Sequence, residues 1–190
     1  WRHPAKLAQG IALRANLIGV PYWAGTWPIA AEGGQAVRRV RLTDGSRTSD
    51  IRCDVFACAF GLTPNLQLPT LLGCEVVDHH GQRVVAVDEH QRTSVPDVYC
   101  AGEPTGIGGV SVAIAEGLIA GCCAAGNTPA AMPIFARRDS ERGFAARLNA
   151  AFALRPELRD LADPSTIVCR CEDVPMSALA SSSNWRDAKL

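Results

Sequence analysis

The 190-residue chain carries 19 basic and 19 acidic side chains, for a formal net charge of zero, and 47% of its residues are apolar. Length and composition suit one large or two small globular domains, and the even scatter of Arg among Asp and Glu excludes a basic nucleic-acid stripe or a charged membrane-surface patch. The longest apolar run, residues 110–125, is interrupted by Glu116 and falls short of the roughly 18 residues that a membrane-spanning helix needs.

Leu7, Ile11, Ala15 and Ile18 fall on one helical stripe, and Gly19 with Pro21 supplies a stop, so the spacing predicts an amphipathic helix over residues 4–18. A short strand over residues 21–25 is expected next. Val40 and Leu42 alternate with Arg39, Arg41 and Thr43, Asp44 and Gly45 can turn the chain, and Ile51, Cys53 and Val55 resume the alternation, which predicts a β-hairpin. Residues 54–60 are almost wholly apolar and end at Gly61 and Pro64, as suits a strand buried on both faces of a largely parallel sheet. Two further strands are predicted over residues 83–88 and 97–101, which makes the fold class α/β. The helix expected after Gly109 carries Ala113, Gly117, Ala120, Gly121 and Ala124 on one face, where small side chains let backbone approach backbone.

Beyond Gly126 the composition shifts, and residues 127–133, with Pro129 and Pro133, read as a linker. Phe144, Leu148, Ala151 and Phe152 mark another helix, residues 156–165 form a second connection, and residues 166–171 read as a strand or extended turn. Pro175 suits the first turn of a short helix. There are no repeats and no low-complexity tract. With no basic start, apolar stretch and small-residue cleavage site, export is not expected, and the eight cysteines fit a reducing cytoplasm as core thiols and ligands.

Two clusters carry chemistry. Gly102, Gly106, Gly108 and Gly109 lead from a strand into the long helix, and a pyrophosphate at a helix N-terminus needs backbone amides free of side chains in this way. Glu103 can accept hydrogen bonds from ribityl or ribose hydroxyls. The same glycines would also serve a tight turn that merely packs strand against helix, with Glu103 solvated. Cys169 and Cys171 lie two apart, and on an extended segment their thiolates point to one side, as two ligands of a single 2Fe-2S cluster or zinc ion must. Free thiols on a strand near the surface remain the alternative.

Other residues carry less. Cys122 and Cys123 diverge by about 100° around a helix and form no redox pair. Cys53, Cys58, Cys74 and Cys100 read as small buried hydrophobes. His79 and His80 belong to a polar turn rather than a metal site with His90, and Trp23 and Trp27 pack under the hairpin more readily than they border a ligand cleft.

Residues 54–65, running from Asp54 through Gly61 and Pro64 to Asn65, and residues 92–103, running from Arg92 through Pro96 and Asp97 to Gly102 and Glu103, resemble two segments of the flavoproteins related to the disulfide reductases. That resemblance spans residues 1–126 and implies the C-terminal part of a Rossmann-like protein with two dinucleotide-binding domains. It makes Gly102, Glu103, Gly108, Gly109 and Val110 the candidate FAD contacts, although most relatives have Asp where this chain has Glu103. The glycine motifs of both nucleotide sites are expected upstream of Trp1. Residues 166–175, around Cys169 and Cys171, resemble the start of the 2Fe-2S domain of the bacterioferritin-associated-ferredoxin type, in which a later Cys-x-x-Cys completes the cluster. The two resemblances together point to the group of opine oxidase large subunits and hydrogen cyanide synthase flavoproteins.

The resemblance implies four regions: residues 1–53 as the end of an inserted NAD(P)-type domain, 54–126 as part of the FAD domain, 127–165 as linker and helix, and 166–190 as the start of an iron-sulfur module. The chain begins without Met and closes inside an expected helix, so it reads as a fragment that should be colourless by itself. The implied parent is an FAD-dependent oxidoreductase for an amine, opine or amino-acid derivative, with FAD and a 2Fe-2S cluster as cofactors and NAD(P) left open. It would work as a hetero-oligomer, with the substrate oxidised either here or on a partner subunit. A non-catalytic electron-transfer or assembly protein, and a nicotinamide-dependent ferredoxin- or nitrite-reductase-type flavoprotein, are the competing expectations.

Overall fold

The computed structural model describes residues 3–79 and 81–181, without the side chain of Arg159. In chain order the elements are α1 (Pro4–Ala15), β1 (Trp27–Gly33), β2 (Val37–Thr43), β3 (Thr48–Arg52), α2 (Gln67–Leu71), β4 (Val76–His79) and β5 (Gln82–Val85). A 3-10 turn (Glu103–Thr105) precedes α3 (Val110–Ala124) and α4 (Thr128–Ala151). The chain then forms α5 (Pro156–Arg159), β6 (Ile167–Cys169), β7 (Val174–Pro175) and α6 (Met176–Ala180). Residues 1–8 with 60–153 form one compact unit, and residues 9–59 with 154–190 form a second. Among the described residues no helix is long and apolar enough to cross a membrane.

The second unit contains an antiparallel sheet ordered β1-β2-β3. The predicted hairpin is β2 and β3, closed where the Asp44 side-chain oxygen accepts the amides of Ser46 at 2.9 Å and Arg47 at 2.8 Å. An aspartate that organises the amides two and three residues on shapes a turn by itself, and Gly45 supplies the positive φ of 93° that it requires. These same bonds hold the Asp44 carboxyl below its usual range. Trp27 is buried beside this turn, with the Arg155 guanidinium 3.9 Å from its ring centroid, whereas Trp23 stays exposed. On the sheet, Glu32 and Asp50 pair with Arg39 and Arg41, which gives β1, β2 and β3 a shared ladder of opposite charges.

At the other end of β1, a Cβ on Gly33 would overlap the Ala36 carbonyl oxygen and lie 3.1 Å from the Arg38 nitrogen. Gly33→Ala should therefore open the β1–β2 turn and cost about 1–2 kcal/mol, because the exposed turn can partly relax. Chemical unfolding followed by tryptophan fluorescence would read this, and an unchanged midpoint would count against the close approach.

The first unit centres on α3 and α4. Ile119 and Cys123 of α3 and Ala131 of α4 form its core, against which Tyr99, Cys122, Ile134 and Phe135 pack. Lys6 and His3, at the start of α1, lie against the Phe144 ring of α4. β4 and β5 make a further antiparallel hairpin, and a bridge between Arg92 and Tyr99 closes another turn in which Asp97 adopts φ 62°.

Several expectations are corrected. The chain is mixed α/β, but every strand pair among the described residues is antiparallel. Residues 54–60 form no strand, and Val55 is 81% exposed, because no described segment runs beside them to take up their backbone hydrogen bonds. The strand expected over residues 97–101 reduces to the single bridge at Tyr99, and residues 21–25 are irregular. The first helix ends at Ala15, with shorter-range turns continuing to Val20. β1, β4 and α2 had no distinct signal.

Residues 128–133 belong to α4 rather than a linker. Pro129 sits in the first turn, where a missing amide costs nothing, and the buried Ala131 holds the turn against α3 although Pro133 lies within the helix. On α3 the buried side is Val112, Ala115, Glu116, Ile119 and Cys123, not the small-residue stripe. Among the described residues nothing outside the helix's own backbone lies within 4 Å of where a Cβ of Gly117 or Gly121 would be, so no second backbone approaches there.

Candidate functional site

The predicted glycine-and-carboxylate cluster forms one loop, residues 102–109, between Tyr99 and α3. Gly102 has φ 82°, Gly106 φ 136° and Gly109 φ 77°, conformations that a side chain would strain. Glu103 opens the 3-10 turn and is exposed. Gly108 has the opposite constraint: a Cβ there would stand 2.7 Å from the Val112 Cβ, so contact and not torsion demands glycine. Gly109 and Val110 are exposed at the start of α3.

Among the described residues that helix start has no side-chain cap, its first turn has no acidic residue, and nothing lies within 4 Å of a Cβ built on Gly106 or Gly109. Unclaimed first-turn amides with open space before them suit an anionic group, and the positive end of the helix dipole adds to that preference. The donor set thus fits the phosphate or ring-oxygen acceptors of a nucleotide cofactor. Glu103 offers an acceptor next to it.

Three side chains absent from the sequence-based site hold this loop. Glu116, only 2% exposed, accepts the Gly102 amide at 2.8 Å and the Thr105 hydroxyl at 2.9 Å through Oε2. Its Oε1 accepts Nε and Nη2 of Arg142 at 2.9 and 2.7 Å. Asn149 Nδ2 donates to the Ile107 carbonyl at 2.9 Å. Arg142 and Asn149 stand two helical turns apart on one side of α4, and Glu116 is the lone carboxylate in an apolar helix; those were the signals within reach of the sequence.

The flanking segment contains other buried polar groups. Arg138 is buried and donates to the Glu89 carbonyl and to Asp139. Gln91 is fully buried with φ 66°, and its side-chain amide has no hydrogen-bond partner among the described residues. Burial pushes the Cys100 thiol up, with Cys74 and Glu116 adding to the effect, so it stays protonated at neutral pH. Cys74 is buried and Cys53 half-buried, but Cys58 is exposed because residues 54–60 lack a covering strand. Cys122 is half-buried and Cys123 buried within the helix core. His90 meets the edge of Phe135 at 5.6 Å; His80 lies outside the described residues.

In the second unit, Asp163 organises the approach to the cysteine pair by accepting the amide of Ser165 at 2.8 Å and the hydroxyls of Ser165 and Thr166. These bonds hold its carboxyl below the usual range. Cys169 ends β6 opposite Val174 and is half-buried; Cys171 is exposed in the following turn, where Asp173 has φ 50°. The expected extended segment therefore stops at Cys169, because the β6–β7 hairpin turns there, and strand alternation does not relate the two thiols. Among the described residues no group of three or more His, Cys, Asp or Glu is placed to hold a metal. The chain's contribution to a cluster would be these two sulfur ligands. An open cavity of about 620 Å³ elsewhere in this unit is lined by Glu32, Arg38, Arg39, Arg52 and Asp54 among others, and includes none of the predicted site residues.

The chain is similar to the A subunit of opine oxidase from Agrobacterium tumefaciens (strain Ach5), at 28% identity over 82% of this chain and 33% of that protein. It is 34% identical to the corresponding opine oxidase subunit of Rhizobium meliloti (strain 1021), over 60% of this chain and 26% of the relative. A further opine oxidase subunit of the same type, from Rhizobium meliloti, is 28% identical over 80% of this chain and 31% of its own length. The chain thus spans about a third or less of each of these relatives. No solved structure matches it. The family described as pyridine nucleotide-disulphide oxidoreductase matches residues 6–117, more than half of the chain and including the loop up to Gly109 and the carboxylate of Glu116, and the chain belongs to that family.

Proposed function

We propose that the chain is part of an FAD-dependent oxidoreductase subunit that oxidises an amine, opine or amino-acid derivative. The observation that carries this reading is the uncapped start of α3 behind the glycine loop. Membership of a pyridine-nucleotide oxidoreductase family and similarity to proteins named as opine oxidase subunits support it. Gly102, Glu103, Gly108, Gly109 and Val110 are the proposed FAD contacts: the glycine amides and the helix end meet an electronegative edge, and Glu103 accepts from a hydroxyl. FAD, when bound, supplies the two-electron acceptor. The protein's share is placement and electrostatics.

Cys169 and Cys171 are proposed as two ligands of a 2Fe-2S cluster completed by cysteines outside this chain. Residues 1–53 then belong to an NAD(P)-type domain, 54–126 to the FAD domain, 127–165 to the connection and 166–190 to the iron-sulfur module. That the relatives are named as subunits favours a hetero-oligomer, with substrate oxidised here or on the partner.

An ultraviolet-visible spectrum of the anaerobically purified full natural protein tests both cofactors. Flavin bands over broad iron-sulfur absorption are expected. Flavin bands alone would remove the cluster and leave Cys169 and Cys171 as free thiols. A spectrum with neither would sink the oxidoreductase reading and favour a nucleotide fold kept as a scaffold.

A further inference from the structure

We infer that Glu116, backed by Arg142 and acting through Thr105, is the positioning group of the flavin loop; this rests on the FAD reading above. The loop needs such a group. Gly102, Gly106 and Gly109 all occupy the positive-φ region, and glycine carries the largest backbone entropy, so the unrestrained segment would sample many shapes. Preorganised donors aid binding only if their direction is set beforehand.

Glu116 sets it at both ends of the 3-10 turn. One oxygen takes the Gly102 amide and the Thr105 hydroxyl, which bracket Glu103, and the other takes two donors of Arg142. The carboxylate thus meets four donors while almost fully buried. The Thr105 hydroxyl also reaches the Gly102 carbonyl at 2.8 Å and has one hydrogen for two acceptors, which ties the turn's start to its end in either orientation. Glu103 is held between these anchors, so the direction of its exposed carboxylate follows from a buried residue thirteen positions away. A buried ion pair is weak evidence for stability, since an apolar replacement is often as stable, and fixing geometry is the better-supported reason to keep one.

The test uses apoprotein prepared from the full natural protein and titrated with FAD. Thr105→Val removes the hydroxyl at constant volume and should raise the FAD dissociation constant about tenfold, roughly the loss of one hydrogen bond to a charged group. Thr105→Ser restores the hydroxyl and should bind within about twofold of wild type. Glu116→Gln should weaken binding further, because an amide nitrogen cannot accept from Gly102 or Arg142. Adding Thr105→Val to Glu116→Gln should then cost little more, as expected when one residue acts through another.

A merely structural role would lower the thermal midpoint of the apoprotein and leave FAD affinity alone, and that result overturns the inference. So does equal FAD affinity in Thr105→Val and wild type, or a fully additive double variant. Wild-type protein that takes up no FAD overturns the flavin reading and this inference together; wild-type binding with insensitive variants overturns the inference alone.

Discussion

Glu116→Ala should destabilise the unit containing α3 and α4 by about 3 kcal/mol. Three terms combine. The Gly102 amide, in a buried residue, loses its acceptor; a space opens beside Ala115 and Ile119, which are completely buried; and Arg142 loses its ion-pair partner. The last term is discounted, since the Arg142 side chain is 38% exposed and can turn toward water. Thr105 also escapes penalty by donating to the Gly102 carbonyl instead. Urea unfolding followed by helical circular dichroism is the suitable measurement, because α3 and α4 are the longest described helices and lie in this unit. A loss below about 1 kcal/mol in the helical signal would mean that the four hydrogen bonds contribute far less than their burial implies.

Gly108→Ala should cost about 2 kcal/mol and, on the proposed FAD reading, also weaken flavin retention. The added methyl would stand 2.7 Å from Val112 Cβ, 2.8 Å from Cγ1 and 2.9 Å from Cγ2. Val112 cannot retreat: it is buried, and a β-branched side chain in a helix has one strongly preferred rotamer. The loop must then move away from α3, carrying the amides of Gly108 and Gly109 with it. Gly109→Ala provides the comparison, because its Cβ would meet nothing within 4 Å and its cost comes from φ 77° alone, about 1–2 kcal/mol. Flavin content of the full natural protein after gel filtration, read beside the unfolding midpoint, distinguishes the two: Gly108→Ala should lose more flavin. Equal retention in both variants would show that the contact with Val112 does not set the loop.

These two positions also divide what was legible from what was not. The glycine loop could be read because it is a run of neighbouring residues leading into an apolar helix. Glu116 could be noticed as an interruption but not understood, since its partner Arg142 lies 26 residues away on a different helix. The Asn149 bond to Ile107 spans 42 residues. No spacing rule reaches across such distances, and the segment that separates them was itself misread: Pro129 and Pro133 suggested a linker, whereas burial of Ala131 keeps α4 helical through both.

Neighbouring residues alone were enough to dictate the local structure: the Asp44–Gly45 turn of the β2–β3 hairpin, the helix after Gly109 and the glycine loop that leads into it. Each depends on residues within a few positions of one another, where backbone torsion and short side-chain bonds dominate. Packing between elements decided the rest. It chose which side of α3 is buried, left residues 54–60 without a partner strand, turned the chain at Cys169, and brought Glu116, Thr105 and Arg142 together. Those outcomes depend on which surfaces meet, and burial overrides local preference wherever it removes enough apolar area or leaves a polar group only one partner to find.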